Sequence, residues 1–164
     1  MEEQPDTAAL SLCIDTAEKV LVVAIARGEQ VLAEQTIFSE RSHARLVTVV
    51  IRELLHHLEL SAGQLDHIAV VTGPGSYTGL RIGVAAAKGL AVALGIPLVG
   101  VPTTAALAAA GITLQPLIQH NYLMGMLHAR KQEAYVGVYD LQLREVLAPQ
   151  PMQVYTDRFQ STLS

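Results

Sequence analysis

A helix built almost without large side chains constrains this chain more than any other feature. From Gly73 to Ala91 the sequence reads Gly-Pro-Gly-Ser-Tyr-Thr-Gly-Leu-Arg-Ile-Gly-Val-Ala-Ala-Ala-Lys-Gly-Leu-Ala. The apolar run His67-Ile-Ala-Val-Val-Thr72 leads into it as a buried strand, and a Gly-Pro-Gly turn joins the two. Gly79, Gly83, Ala87, Ala91 and Gly95 recur every four residues and stack on one helical face. Ala85, Gly89 and Ala93 form a second small row beside it. Each internal glycine costs about 1 kcal/mol against alanine. Such a helix needs another backbone packed very close. One row can meet a sheet, which leaves the other for an outside helix.

At 164 residues the chain fits one domain, or one domain with an appendage. Its hydrophobic content of 51% is enough for a good core, without any Trp. A net charge of -4 gives no electrostatic reason for tight nucleic-acid binding by the chain alone. The single Cys13 sits in an apolar strand, so it reads as a core thiol rather than half a disulfide, which fits a reducing cytoplasm. The first nine residues lack the basic start and apolar centre of a signal peptide. The apolar runs are too short, or too broken by Gly and charge, for a membrane span. A cytoplasmic protein with no membrane segment is therefore expected.

Leu10–Asp15, Lys19–Ala26 and Val31–Phe38 read as three strands of an antiparallel meander. Ser42 can cap a helix in which Val47, Val50, Ile51, Leu54, Leu55 and Leu58 fall at helical spacing. Leu46 and Val49 widen that apolar arc beyond one core contact. Gly63 breaks the segment. Ile68–Val71 is a fourth strand and Leu80–Leu94 the small-residue helix, ended by Gly95-Ile-Pro97. Leu98–Val101 is a fifth strand and Thr103–Ala110 a third helix. This order predicts an α/β fold with a mixed sheet flanked by helices. Gly111 to Asn121 reads as a linker. Tyr122–His128 and Ala134–Tyr139 read as strands of a second meander, followed by residues of little periodicity. The expected organisation is a flexible tail over 1–9, an N-terminal lobe over 10–111 and a partial second lobe over 112–164.

That layout resembles the actin-like ATPase (ribonuclease H-like) fold with an incomplete second lobe. The segment from Gly73 to Ala91 is closely similar to the signature of the TsaB family, also called YeaZ, a glycoprotease-like group related to TsaD. Ile14-Asp-Thr16, His43 at the start of the first helix and Leu98-Val-Gly-Val-Pro102 match the same family. His128-Ala-Arg-Lys-Gln-Glu-Ala-Tyr135 resembles its Asp-Ala-Arg-x-x-Glu-Val-Tyr hairpin, with His128 in place of Asp. The resemblance implies a role in bacterial tRNA threonylcarbamoyladenosine synthesis, at the adenosine beside the anticodon. It implies a non-catalytic scaffold that binds and supports the catalytic subunit TsaD, allows the ATPase TsaE to join, and forms a homodimer in isolation.

The residues that chemistry would need point the same way. An active TsaD-type subunit holds a metal through His-x-x-x-His on the helix after the fifth strand, where both imidazoles share one face. The aligned positions here are Thr103 and Leu107. His43, His56, His57, His67, His120 and His128 include no pair at i, i+4. No metal and no cofactor are therefore expected. A metal-dependent glycopeptidase is the alternative enzyme class, and a weak ATPase the next. A phosphate loop between the first two strands would need Asp-x-Gly-Thr or similar. This chain has Asp15-Thr-Ala-Glu18, and Glu18 sets a carboxylate where phosphate should lie. Asp15 either positions magnesium through water or ends its strand and caps the turn. The turn from Gly73 to Gly79 is neither a Walker motif nor Gly-x-Gly-x-x-Gly. It either shapes the helix start, capped by Ser76 or Thr78, or forms an anion site. Asp15, Thr16, Gly73, Gly75 and Ser76 are thus a candidate vestigial nucleotide site. Ser76 has no identifiable base to make it a nucleophile.

Val47, Val50, Leu54, Gly79, Arg81, Gly83, Ala87 and Ala91 are the residues expected in or near a partner surface. Arg81 and Lys88 lie seven residues apart on one side of the helix, as partners for a carboxylate or as solvated charges. The competing arrangement buries both small rows inside the chain itself. On the interface reading, Gly83→Leu weakens TsaD binding and leaves a folded monomer.

Overall fold

The computed structural model describes residues 8–38, 43–114, 121–130 and 132–154. The chain divides into two compact units. The first holds the described residues up to Val71 together with Ser76–Gly100, and the second holds Thr72–Gly75 and those from Val101 onward. The expected boundary after residue 111 is therefore corrected to Gly100. The third helix packs with the strands that follow it, because its buried residues form a cluster with theirs. Of the expected tail, residues 1–7 lie outside the described residues, as does the expected cap Ser42. Ala9 is tied in, since its carbonyl accepts the Gly28 N–H at 3.0 Å.

From Leu10 to Pro102 the order is β1 (Leu10–Asp15), β2 (Val20–Arg27), β3 (Gln30–Phe38), α1 (His43–His57), β4 (His67–Gly73), α2 (Tyr77–Leu94) and β5 (Leu98–Pro102). A short 3-10 turn at Ala62–Gln64 precedes β4. The five strands form one sheet in the order β3-β2-β1-β4-β5. β1 pairs antiparallel with β2 and parallel with β4, so the sheet is mixed, as the element order predicts. Leu12 lies opposite Ile25 and Ile68, and Ile14 opposite Val23 and Val70. This register puts one apolar set from three strands on one face. That face joins Val47, Val50 and Leu54 of α1 and Ala87 and Ala91 of α2 in a single core. Cys13 alternates to the opposite face and is only half-buried, so it is not part of this core. Burial still pushes its thiol pKa up.

Ser76 caps α2 by accepting the Gly79 N–H at 3.3 Å, and Gly95 ends it in the left-handed conformation at φ 68°. Among the described residues, α2 is the one helix long and apolar enough to cross a bilayer by length and composition. Its row of Gly79, Gly83, Ala87 and Ala91 is nevertheless buried within the unit, which is the arrangement of a core helix.

In the second unit α3 (Thr103–Leu114) is followed by β6 (Tyr122–Arg130), β7 (Glu133–Asp140) and β8 (Glu145–Gln153). The three strands form an antiparallel sheet in the order β6-β7-β8. The helix runs to Leu114, so the first part of the expected linker is helical. β8 is a strand that the sequence reading misses. Ala108 of α3 packs with Leu123 and Tyr139. Ala134, Val136 and Val138 lie with Met152 in a separate cluster. β7 is thus buried on both faces from Val136 to Tyr139, which is why its sequence reads as a continuous apolar run. Asp140 closes the β7–β8 turn. Its carboxylate accepts the N–H groups of Gln142 and Arg144 at 2.9 Å and pairs with Arg144 Nε at 2.6 Å.

Candidate functional site

The close backbone that α2 needs is Thr16, just past the end of β1. A Cβ built on Gly79 would fall on the Thr16 carbonyl oxygen, and one built on Gly83 would fall on Thr16 Oγ1. No side chain fits there, so the Gly79–Ala91 row faces inward. This corrects the expected surface. Gly79, Gly83, Ala87, Ala91, Val47, Val50 and Leu54 are all buried in the unit's own core. Gly83→Leu would drive a branched side chain into Thr16 and cannot leave a folded monomer. Arg81 alone of the expected set is exposed, with its guanidinium carbon 5.4 Å from the centroid of the Tyr77 ring. Thr16 itself is fully buried, and its hydroxyl has no hydrogen-bond partner among the described residues.

The second small row points outward. Ala85, Gly89 and Ala93 are exposed, and a Cβ on Gly89 would meet nothing within 4 Å. Between this row and α1 runs an open groove of about 700 Å³. Thr48, Ile51, Arg52, Leu55 and His56 line it from α1, and Ala85, Ala86, Gly89, Leu90 and Ala93 from α2. Leu60 and Ala62 line it from the segment after α1. Beside it Val92 stands 83% exposed. Sequence reasoning found both small rows, but it named the buried one as the interface. The signal that separates them is glycine placement. Two of the four inward positions are glycine, against one of the three outward positions, and glycine is needed where main chains meet.

The candidate nucleotide residues sort differently. Asp15 Oδ1 accepts the Ala17 N–H at 2.8 Å, which makes it the cap of its own turn. The Ser76 N–H donates to the Ala17 carbonyl, so Asp15, Thr16 and Ser76 are brought together in the first unit. Glu18 beside them is exposed. Gly73, at φ 112°, and Gly75 belong to the second unit. In that unit Thr103 Oγ1 donates to the Pro74 carbonyl at 2.6 Å, and Leu107 offers no donor atom. These two positions do not fit a metal ion, since the Thr103 hydroxyl is committed to a carbonyl and Leu107 has no ligating atom. Among the described residues no group of three or more His, Cys, Asp or Glu is placed to hold a metal ion.

Two polar features escaped the sequence reading. Ser11 and His67 are parallel neighbours on β1 and β4, with Oγ and Nε2 2.9 Å apart. Thr104 and Tyr139 form a buried hydroxyl pair at 2.7 Å. Gly125 and Gly137 face each other across β6 and β7, and both make room for Thr104. A glycine pair in cross-strand register is the signal that would have found this second close approach.

Comparison with known proteins follows the same lines. Residues 30–156 match the family described as TsaD: tRNA N6-adenosine threonylcarbamoyltransferase. The chain is 36% identical over 128 residues to the tRNA threonylcarbamoyladenosine biosynthesis protein TsaB of Bacillus subtilis, covering 78% of this chain and 54% of that protein. It is 31% identical over 125 residues to the protein of the same description from Haemophilus influenzae, covering 76% and 51%. The solved structure of YeaZ from Pseudomonas aeruginosa superposes with a TM-score of 0.79 at 28% identity, over 88% of this chain and 68% of that one. The chain spans about half the length of the curated relatives it matches.

Proposed function

The chain belongs to the TsaD family, with the actin-like α/β fold of its YeaZ neighbours, and from that premise we propose that it is a non-catalytic scaffold in tRNA threonylcarbamoyladenosine synthesis. It acts in the cytoplasm, binds the catalytic TsaD-type subunit through the α1–α2 groove, and lets the ATPase TsaE join that complex. The observation that carries this reading is the open space over Gly89. An apolar groove floored by small residues lets a partner helix approach the main chain of α2, and exposed apolar surface of this kind marks a docking site. The non-catalytic part is supported by the loss of donors at Leu107 and the commitment of Thr103 and Asp15 to backbone partners.

Gly89→Leu tests the docking reading. The new side chain enters open space, so the chain stays folded while the groove closes. Titration calorimetry against the TsaD-type subunit should show binding lost, and unchanged affinity would overturn the reading. The purified chain is expected neither to hydrolyse ATP nor to make the modified nucleoside. Turnover that disappears in Asp15→Ala would refute this.

A further inference from the structure

β1 and β6 each begin a three-stranded antiparallel meander, β1-β2-β3 in the first sheet and β6-β7-β8 in the second. β1 has a further neighbour, β4, on its far side. β6 has none among the described residues, so its N–H and carbonyl groups directed away from β7 meet no strand there. The other sheet edges carry residues that discourage pairing. β3 has Glu34, β8 has Glu145, Pro149 and Pro151, and β5 is short and ends in Pro102. β6 has no Pro, Lys, Asp or Glu, and no charge from Tyr122 to Leu127. Its Tyr122 and Met126 are 60% and 47% exposed. The strand is also its own reverse: Leu123-Met124-Gly125-Met126-Leu127 reads alike in both directions about Gly125.

We propose that the outer edge of β6 pairs with β6 of a second copy, antiparallel and centred on Gly125, to form one six-stranded sheet. A two-fold axis through the sheet at Gly125 sets Met124 opposite Met126 of the second copy and Leu123 opposite its Leu127. Met124 and Met126 share the face of Val138 and Val136, their opposite numbers on β7, so four methionines meet there. Leu123 and Leu127 share the other face with Tyr139 and Tyr135. The pairing of β6 with β7 is regular from Tyr122 to His128, so this stretch presents an even edge. Moving the centre to Met124 or Met126 sets Gly125 against a leucine and breaks the Leu–Leu pairs, and a slip of one residue puts facing side chains on opposite faces. The charges also permit the two-fold. Arg130 of each copy is carried to an opposite end of the ladder, and His128 faces Tyr122, so no like charges stand against each other.

The test is sedimentation equilibrium of the full chain carrying Gly89→Leu, which closes the α1–α2 groove and leaves β6 unaltered. One strand edge falls short of the roughly 1,200 Å² that stable interfaces bury, so a reversible dimer of micromolar or weaker affinity is expected. In the same chain, hydrogen exchange at the Tyr122–His128 amides should slow as concentration rises, while that of β3 stays constant. This readout depends on no substitution in β6. Met126→Lys adds its charge at an exposed position and sets two lysines diagonally across the seam, so the dimer should weaken about tenfold. Met126→Glu should act alike, and an equimolar mixture of the two variants should recover the dimer. A chain that stays monomeric up to about 1 mM overturns the proposal. A dimer indifferent to Met126→Lys overturns it too, because the copies then meet elsewhere. So does β6 protection that is independent of concentration, which would put another segment of the same chain on that edge.

Discussion

Each unit of this protein packs a helix and strand-borne main chain to near-contact, and the two do so in opposite ways. In the first unit the glycines are on the helix, and the strand end supplies the threonine: Gly79 and Gly83 of α2 close on Thr16. In the second the glycines are on the strands, and the helix supplies the threonine: Gly125 and Gly137 close on Thr104 of α3. The hydroxyls also differ. The Thr104 and Tyr139 hydroxyls are hydrogen-bonded at 2.7 Å, whereas the Thr16 hydroxyl has no partner among the described residues. Glycine therefore sets the distance in both units, but a buried polar bond rewards it in only one. The first unit relies on apolar packing beneath α2, which leaves the outer side of that helix free for another task.

The largest effect should come from Gly125→Ala. Its Cβ meets the Thr104 carbonyl and lies 2.8 Å from the Thr104 Cα, and neither main-chain atom can move aside cheaply. A loss of about 3 kcal/mol or more is expected in urea denaturation. A loss under about 1 kcal/mol would show that α3 can shift and that the approach is not obligatory. Gly83→Ala comes next, at about 1–3 kcal/mol. It strikes a side chain rather than main chain, so Thr16→Ala in the same molecule should recover most of the loss. Failure of that rescue would move the constraint away from Thr16. The smallest effects separate the two hydroxyls. Thr104→Val strands the Tyr139 hydroxyl and should cost about 1–3 kcal/mol, whereas Thr16→Val should be neutral or stabilising by up to about 1 kcal/mol. Equal costs at both sites would mean that Thr16 has an unrecognised partner.

Most of the framework was legible in the sequence. The meander, α1, β4 and α2 follow from runs of clear period, and the Gly95 stop of α2 is a local rule with no tertiary competitor. β8 was not legible, because Pro149 and Pro151 interrupt it and the register shifts twice along its pairing with β7. It is an edge strand, and an edge tolerates residues without an N–H. The site was half legible. A period of four residues reveals two small rows, but the choice between them depends on what lies beneath, and Thr16 is far away in sequence. Wide apolar arcs mislead in the same manner. Leu46 and Val49 widen the arc beyond one core contact, which suggests a partner surface at Val47, Val50 and Leu54, yet β1, β2 and β4 share the face of those three residues.

The bare stretch of α2 around Gly89 has a further consequence. Where side chains are missing, the Cα hydrogens become the outermost groups, and these act as weak donors to carbonyl oxygens across helix–helix seams. Recognition there reads the curvature of an approaching backbone more than the identity of its residues. A bound helix could exchange many of its side chains and still be held, so long as none of them grew large enough to lift it off.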